Sequence, residues 1–186
     1  MYWYNNLGWR LNSCLLLVLT TAFVSCTKPN LKEAKGDLKY FDLKGFMHTD
    51  SAKLAAADPL ITKTVNHNGE TETRKLKIAN WGNELSLFNG SDINKPSWRD
   101  SYDIVVSGDT SVYKAKTPDL KTQRLTIARV NGKITAVKVF NHTKNMLYET
   151  SEQLNYFPDS LYSIDKKQHV LLLGNNRYVV TGSFVK

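Results

Sequence analysis

Four histidines, His48, His67, His142 and His169, are the first residues to consider for metal ligation or general acid–base chemistry in this 186-residue chain. None is spaced as H-E-x-x-H, and none has a second histidine or a cysteine beside it in sequence. A metal centre would need the fold to gather distant ligands. Acids lie close together at Glu149 and Glu152, and again at Asp159 and Asp165. Glycoside cleavage by such a pair depends on carboxyl separation in space, which spacing alone does not give. Ser107-Gly108 and Thr181-Gly182-Ser183 do not form the G-x-S-x-G elbow of a serine hydrolase. Neither of the glycine-rich phosphate-binding patterns is present. The sequence therefore predicts no cofactor, no metal and no enzymatic activity.

Two aromatic blocks are better candidates, for binding rather than catalysis. The stretch 81–102 holds Trp81, Glu84, Phe88, Asp92, Asn94, Lys95, Pro96, Trp98, Arg99 and Tyr102. Aromatic residues beside arginine are frequent at binding hot spots, which makes Trp98, Arg99 and Tyr102 candidate contacts. The plainer reading, which is preferred, is structural, with Trp81 and Trp98 as core anchors, 92–96 turning the chain from helix to sheet, and Arg99 clamped to Asp92 or Glu84. The second block, 148–162, offers Tyr148 and Tyr156, with Phe157 and Tyr162, as the lining of a groove. Cross-strand packing is the plainer use of such residues and is preferred.

The elements that must position these residues follow from periodicity and turn chemistry. Leu43, Phe46, Met47 and Leu54 recur at mostly helical offsets, and Asp58-Pro59 closes a helix within 43–57. Asn68-Gly69 between β-branched flanks predicts a hairpin over 60–65 and 71–78. Trp81, Leu85 and Phe88, after Asn80 as N-cap and before Gly90, predict a short second helix over 81–89. From Ser101 onward the pattern is β, with strands expected at 102–107, 112–116, 123–130, 133–141, 145–156, 161–164 with 168–173, and 178–185. Reversals are expected at Ser107-Gly108-Asp109, Asn131-Gly132, Pro158-Asp159 and Gly174-Asn175-Asn176. The expected fold class is α+β: a curved antiparallel β-sheet meander packed on one or two N-terminal helices.

The start of the chain reads as an export leader. Arg10 is the one charge in residues 1–25, and an apolar run densest at Leu15–Leu19 precedes small residues. The run 11–24 is shorter than the roughly 20 residues a spanning helix needs. Phe23-Val24-Ser25-Cys26 resembles the bacterial lipobox, with Phe23 where a smaller aliphatic is usual. That resemblance implies cleavage before Cys26 and lipidation of its thiol. An uncleaved anchor and an unlipidated secreted product are the alternatives. The expected organisation is a leader over 1–25, a lipidated Cys26 with linker over 26–36, and one domain over 37–186. About 160 residues then remain, a size that suits one domain. Cys14 leaves with the leader, so the mature chain has no intrachain disulfide. It carries 24 basic and 17 acidic residues, a formal +7, which suits lipid head groups or acidic glycans, although the charges are dispersed and a well-hydrated soluble surface is the preferred reading. No nucleic-acid motif is present.

The lipobox, the 81–102 block and the β-rich remainder together resemble small outer-membrane-type lipoproteins of Bacteroidota. No Asp follows Cys26 and no acidic run follows it. The resemblance therefore implies anchoring in the outer membrane, on the periplasmic face. Three functions are compatible: a non-enzymatic binding or accessory lipoprotein of the cell envelope with a lipid, glycan or protein ligand, a structural interaction subunit of an outer-membrane complex, or an envelope hydrolase of unrecognised type. The first is preferred.

Overall fold

The computed structural model describes residues 38–185; the expected leader, Cys26 and the linker lie outside the described residues. Helix α1 (Leu43–Ala57) falls where the spacing predicts. Asp42 caps it, its carboxylate accepting from the Gly45 N–H at 2.8 Å. Leu43, Met47, Ser51 and Leu54 form its buried face. Ser51 is tolerated there because its hydroxyl donates back to the Met47 carbonyl at 2.6 Å. The helix ends at Asp58, which is left-handed (φ 43°) and donates its N–H to the Leu54 carbonyl.

Strands β1 (Leu60–His67) and β2 (Glu70–Lys77) form the expected hairpin, with Asn68 and Gly69 both at positive φ. The second predicted helix is broken into two single turns, α2 (Trp81–Glu84) and α3 (Ser86–Asn89). The break is Leu85, whose φ of −97° and ψ of 14° leave the helical well. Asn80 does cap α2, accepting from the Asn83 N–H at 2.9 Å. After a 3-10 turn at Pro96–Trp98 come β3 (Tyr102–Ser107), β4 (Thr110–Ala115), β5 (Thr122–Val130), β6 (Lys133–Lys144), β7 (Tyr148–Phe157), β8 (Leu161–Val170) and β9 (Gly174–Phe184).

All nine strands form one antiparallel sheet in the order β2-β1-β9-β8-β7-β6-β5-β4-β3. Strands β3 to β9 are a meander, and the early hairpin joins its far end through β1 and β9, with Ile61 opposite Phe184. Strands outweigh helices, so the chain is mostly β.

The helices cover one face of this sheet, here the inner face. Trp81 stacks on Phe184 at 5.7 Å and meets Tyr162 edge-on at 6.1 Å. Phe46 from α1 and Phe88 from α3 both approach Tyr156 edge-on, at 6.3 and 5.9 Å. Tyr156 and Tyr162 are direct cross-strand partners, and Gly182 is next in the row. A Cβ at Gly182 would sit 2.2 Å from the Tyr162 ring, so the glycine makes room for that tyrosine to lie over the strand. Burial, then hydrogen bonds to carboxylates, raise both phenols above the ordinary tyrosine range: Tyr156 donates to Asp50 and Tyr162 donates to Glu84. Both act as fixed donors that satisfy acids at the edge of the core.

The core stops at a polar row. Thr122, Asn141, Glu152 and Lys166 face one another across β5, β6, β7 and β8. Asn141 donates to Glu152 at 3.0 Å and to Ser91 at 2.8 Å, and Thr122 donates to the Ser91 carbonyl at 3.1 Å. Lys166 reaches the Glu152 carboxylate at 3.4 Å from the solvent side. Ser91, Thr122, Asn141 and Glu152 are all buried, so these bonds are what lets the row lie under the helices.

Candidate ligand-binding surfaces

The structure brings Trp98 and Tyr102 together but leaves Tyr148 and Tyr156 apart from them and from each other. Trp98 is half-buried in the 3-10 turn, 6.3 Å from the Tyr102 ring, with the Lys95 ammonium 3.9 Å from its own ring centroid. Arg99 is exposed, and its carbonyl accepts from the Tyr40 hydroxyl at 2.7 Å. The clamp expected of Arg99 does not form. Glu84 is held by Lys63 at 2.7 Å and by Tyr162, and Asp92 accepts from Asn94. Burial is the main influence on Asp92 and raises its carboxyl above the usual range. Tyr102 is a core residue whose phenol is pushed up by burial.

Tyr148 and Tyr156 share a face of β7 but stand eight residues apart, roughly 27 Å along an extended strand. Tyr156 is fully buried and Tyr148 is exposed beyond the helices, so they line no common groove. The cross-strand use holds for Tyr156 with Tyr162.

Neither acid pair converges. Glu149 and Glu152 point to opposite faces of β7, three residues apart on a regular strand. Glu149 binds His142 at 3.0 Å and Lys144 at 3.1 Å, and the His142 bond first, then Lys144, holds its carboxyl below the usual range. Asp159 sits in the β7–β8 turn bonded to Lys53, whereas Asp165 lies along β8 bonded to Arg177 at 2.7 Å. Among the described residues no cluster of three or more histidine, cysteine or acidic side chains is placed to hold a metal ion.

Two surface troughs among the described residues offer room for a ligand. One, of about 580 Å³, runs along the inner face beside α2 and α3, over Leu76, Ile78, Leu87, Ile164, Tyr178 and Val180. The cations on its margin are spoken for: Lys63 pairs with Glu84, Lys77 with Asp58 and Lys166 with Glu152.

The other trough, of about 640 Å³, lies on the outer face, away from the helices. Lys114, Arg124, Phe140 and Gln153 form one row across β4, β5, β6 and β7. Val112, Thr126, Lys138 and Asn155 form the row beside it. A bulge between Thr122 and Arg124 brings Arg124 to this face while Thr122 stays in the core. The lining has three cations and no carboxylate. Among the described residues none of the three cations forms an ion pair. Asp103 lies opposite Lys114 on β3, yet its ion pair is with Lys116, at 3.8 Å. Like charges directly opposite on neighbouring strands, as Lys114 and Arg124 are, destabilise a sheet by several tenths of a kcal/mol. The face thus tolerates repulsion that an anionic ligand would relieve. The sequence reading missed this site. Its residues come from four strands and share a face only through the register and the bulge.

The fold defines a class: a mostly β, antiparallel nine-stranded sheet with a helical layer on one face. No family model, no curated protein and no solved structure matches the chain.

Proposed function

We propose that this is an outer-membrane lipoprotein, anchored through a lipidated Cys26 and facing the periplasm, that binds an anionic envelope glycan without chemically changing it. In this reading the sheet curves around its helices and presents its outer face to the ligand. The observation that carries it is the outer trough. Three cations form no ion pair among the described residues, with Phe140 among them as an apolar platform and Gln153, Asn155 and Thr126 as hydrogen-bond donors. The row from β4 to β7 spans four strands, roughly 14 Å at the usual strand spacing, a length that suits an extended polymer better than a compact metabolite. The mature chain's excess of basic residues points the same way.

A titration with polygalacturonate, with neutral dextran as control, tests this. Binding of the polyanion alone is expected, weakening as salt rises through the physiological range. The triple variant Lys114→Gln/Arg124→Gln/Lys138→Gln should lose at least tenfold in affinity. Equal binding of dextran, or an unchanged variant, would reject the glycan reading.

A second reading, an interaction subunit of an outer-membrane assembly, is favoured by Arg99. It is exposed beside the half-buried Trp98 and forms no ion pair among the described residues. A defined protein adduct from crosslinking at Arg99 in whole cells would support it, and a clean monomer would count against it.

A further inference from the structure

We propose that the tips of the β6–β7 and β8–β9 hairpins form a second, protein-borne membrane contact, inserting into the interface of an anionic bilayer. Beyond the polar row, strands β6 to β9 continue past the helices. By the usual strand rise β6 extends roughly 10 Å past Asn141 and β8 roughly 14 Å past Lys166. The two tips are joined, since the Leu171 N–H donates to the Leu147 carbonyl at 3.0 Å. They carry Met146, Leu147, Leu171, Leu172 and Leu173, which are 66% to 92% exposed.

Turns are normally built of polar residues and glycine. Here the reversal falls on three consecutive leucines, and Gly174 (φ 78°) supplies the left-handed residue after them. Five large apolar side chains on adjoining tips make one protruding patch rather than the scattered single exposures that need no explanation.

The collar around the patch fits one kind of occupant. Lys144, Lys166, Lys167 and Arg177 stand around the base of the tips; Glu149, Glu152 and Asp165 pair with three of them and Lys167 forms no ion pair among the described residues, so the collar keeps a formal +1. Apolar tips ringed by cations complement an anionic head-group layer over an acyl interior. Tyr148 and Tyr178, 37% and 42% exposed on the inner face just behind the tips, sit where aromatic rings favour a membrane interface. The chain also enters the described fold at this end of the sheet. Tyr40 packs on Tyr102 at the start of β3, and the neighbouring β4–β5 connection bonds to β6 through the His142 N–H and the Lys121 carbonyl at 2.8 Å. This contact rests on the chain's own side chains and does not require Cys26 to be acylated.

The test places a photo-crosslinking benzophenone residue at Leu172 of the full chain, with Val130, exposed at a hairpin tip of the opposite sheet end, as control site. Irradiation in native membranes should give a lipid adduct at position 172 at least tenfold above that at 130. With purified protein and vesicles, the adduct should appear with phosphatidylglycerol and be weak with phosphatidylcholine alone. Replacing Lys144 and Lys167 by Gln should weaken it by about fivefold per cation removed. An adduct with another protein or with a second copy, or no adduct at 172, would overturn the inference. The mass of the Cys26 peptide reports the anchor separately. A lipid adduct at 172 on an unacylated chain would uphold this contact while removing the tether, and the reverse result would do the opposite.

Discussion

Strand β6 buries Val137, Val139 and Asn141 on its inner face, and from His142 to Lys144 it buries nothing. Strand β7 repeats the pattern with Glu152, Leu154 and Tyr156 buried and 148–151 not, and β8 with Tyr162 and Ile164 buried and 165–170 not. The same three strands thus have a covered half and a bare half, divided by the row Asn141, Glu152 and Lys166. The hydrogen-bond ladder runs unbroken through both halves of β7 and β8. What differs is the helical layer. In the covered half side-chain burial supplies most of the stability, since net hydrogen-bond gains in water are small. The bare half is held by its ladder and is available for contacts with something other than this chain.

That contrast sets the expected effects of substitution. The largest falls in the covered half. Trp81→Ala removes the ring that stacks on Phe184 and meets Tyr162 edge-on, and should cost about 3–5 kcal/mol, read by chemical denaturation. Gly182→Val drives a side chain into the Tyr162 ring and should cost about 1–3 kcal/mol, with altered near-ultraviolet dichroism. At the divide, Asn141→Ala leaves Glu152 and Ser91 without their buried donor and should cost about 1–3 kcal/mol. In the bare half the effect shrinks to a pH dependence. The Arg177 hydrogen bond holds the Asp165 carboxyl below its usual range. The resulting stabilisation is complete above the ordinary aspartate pKa and is lost as pH falls through the lowered one. Arg177→Gln should flatten that acid-side slope, and only slightly because the pair is partly exposed. Smallest of all, Leu171→Asn with Leu173→Asn should leave stability within about 0.5 kcal/mol while abolishing crosslinking to lipid at the tip. A large loss of stability from these tip changes would mean that the bare half is part of the core after all.

Local rules carried the covered half well. Helix α1 came from its apolar spacing, and the β1–β2 hairpin came from Asn68-Gly69, because each depends on neighbours in sequence. Strand starts at Tyr102 and Leu161 were equally legible from β-branched and aromatic runs. The second helix was read as continuous since Trp81, Leu85 and Phe88 keep helical spacing; the backbone of the buried Leu85 leaves the helical well and divides it into two turns. The closure of β1 on β9 was not legible, since it pairs residues more than a hundred positions apart and nothing local encodes it. The cationic trough was hidden for the same reason.

The last hairpin is the instructive miss. Leu171–Leu173 read as strand and Gly174-Asn175-Asn176 as the turn, because leucine belongs in strands and asparagine in reversals. The chain turns at the leucines instead, and 174–176 begins β9. Sequences break local rules most often where function constrains them, and this break coincides with the apolar patch.

Residue-resolved amide hydrogen exchange on the free protein tests the division of the sheet most directly. Amides of β6, β7 and β8 on the helix side of Asn141, Glu152 and Lys166 should exchange only on global unfolding. Those of 142–150 and 167–177 should exchange through local opening, at least a hundredfold faster. Uniform slow exchange out to Lys144 and Val170 would contradict the account, because it would mean that the projecting strands are as much a part of the cooperative core as those beneath the helices.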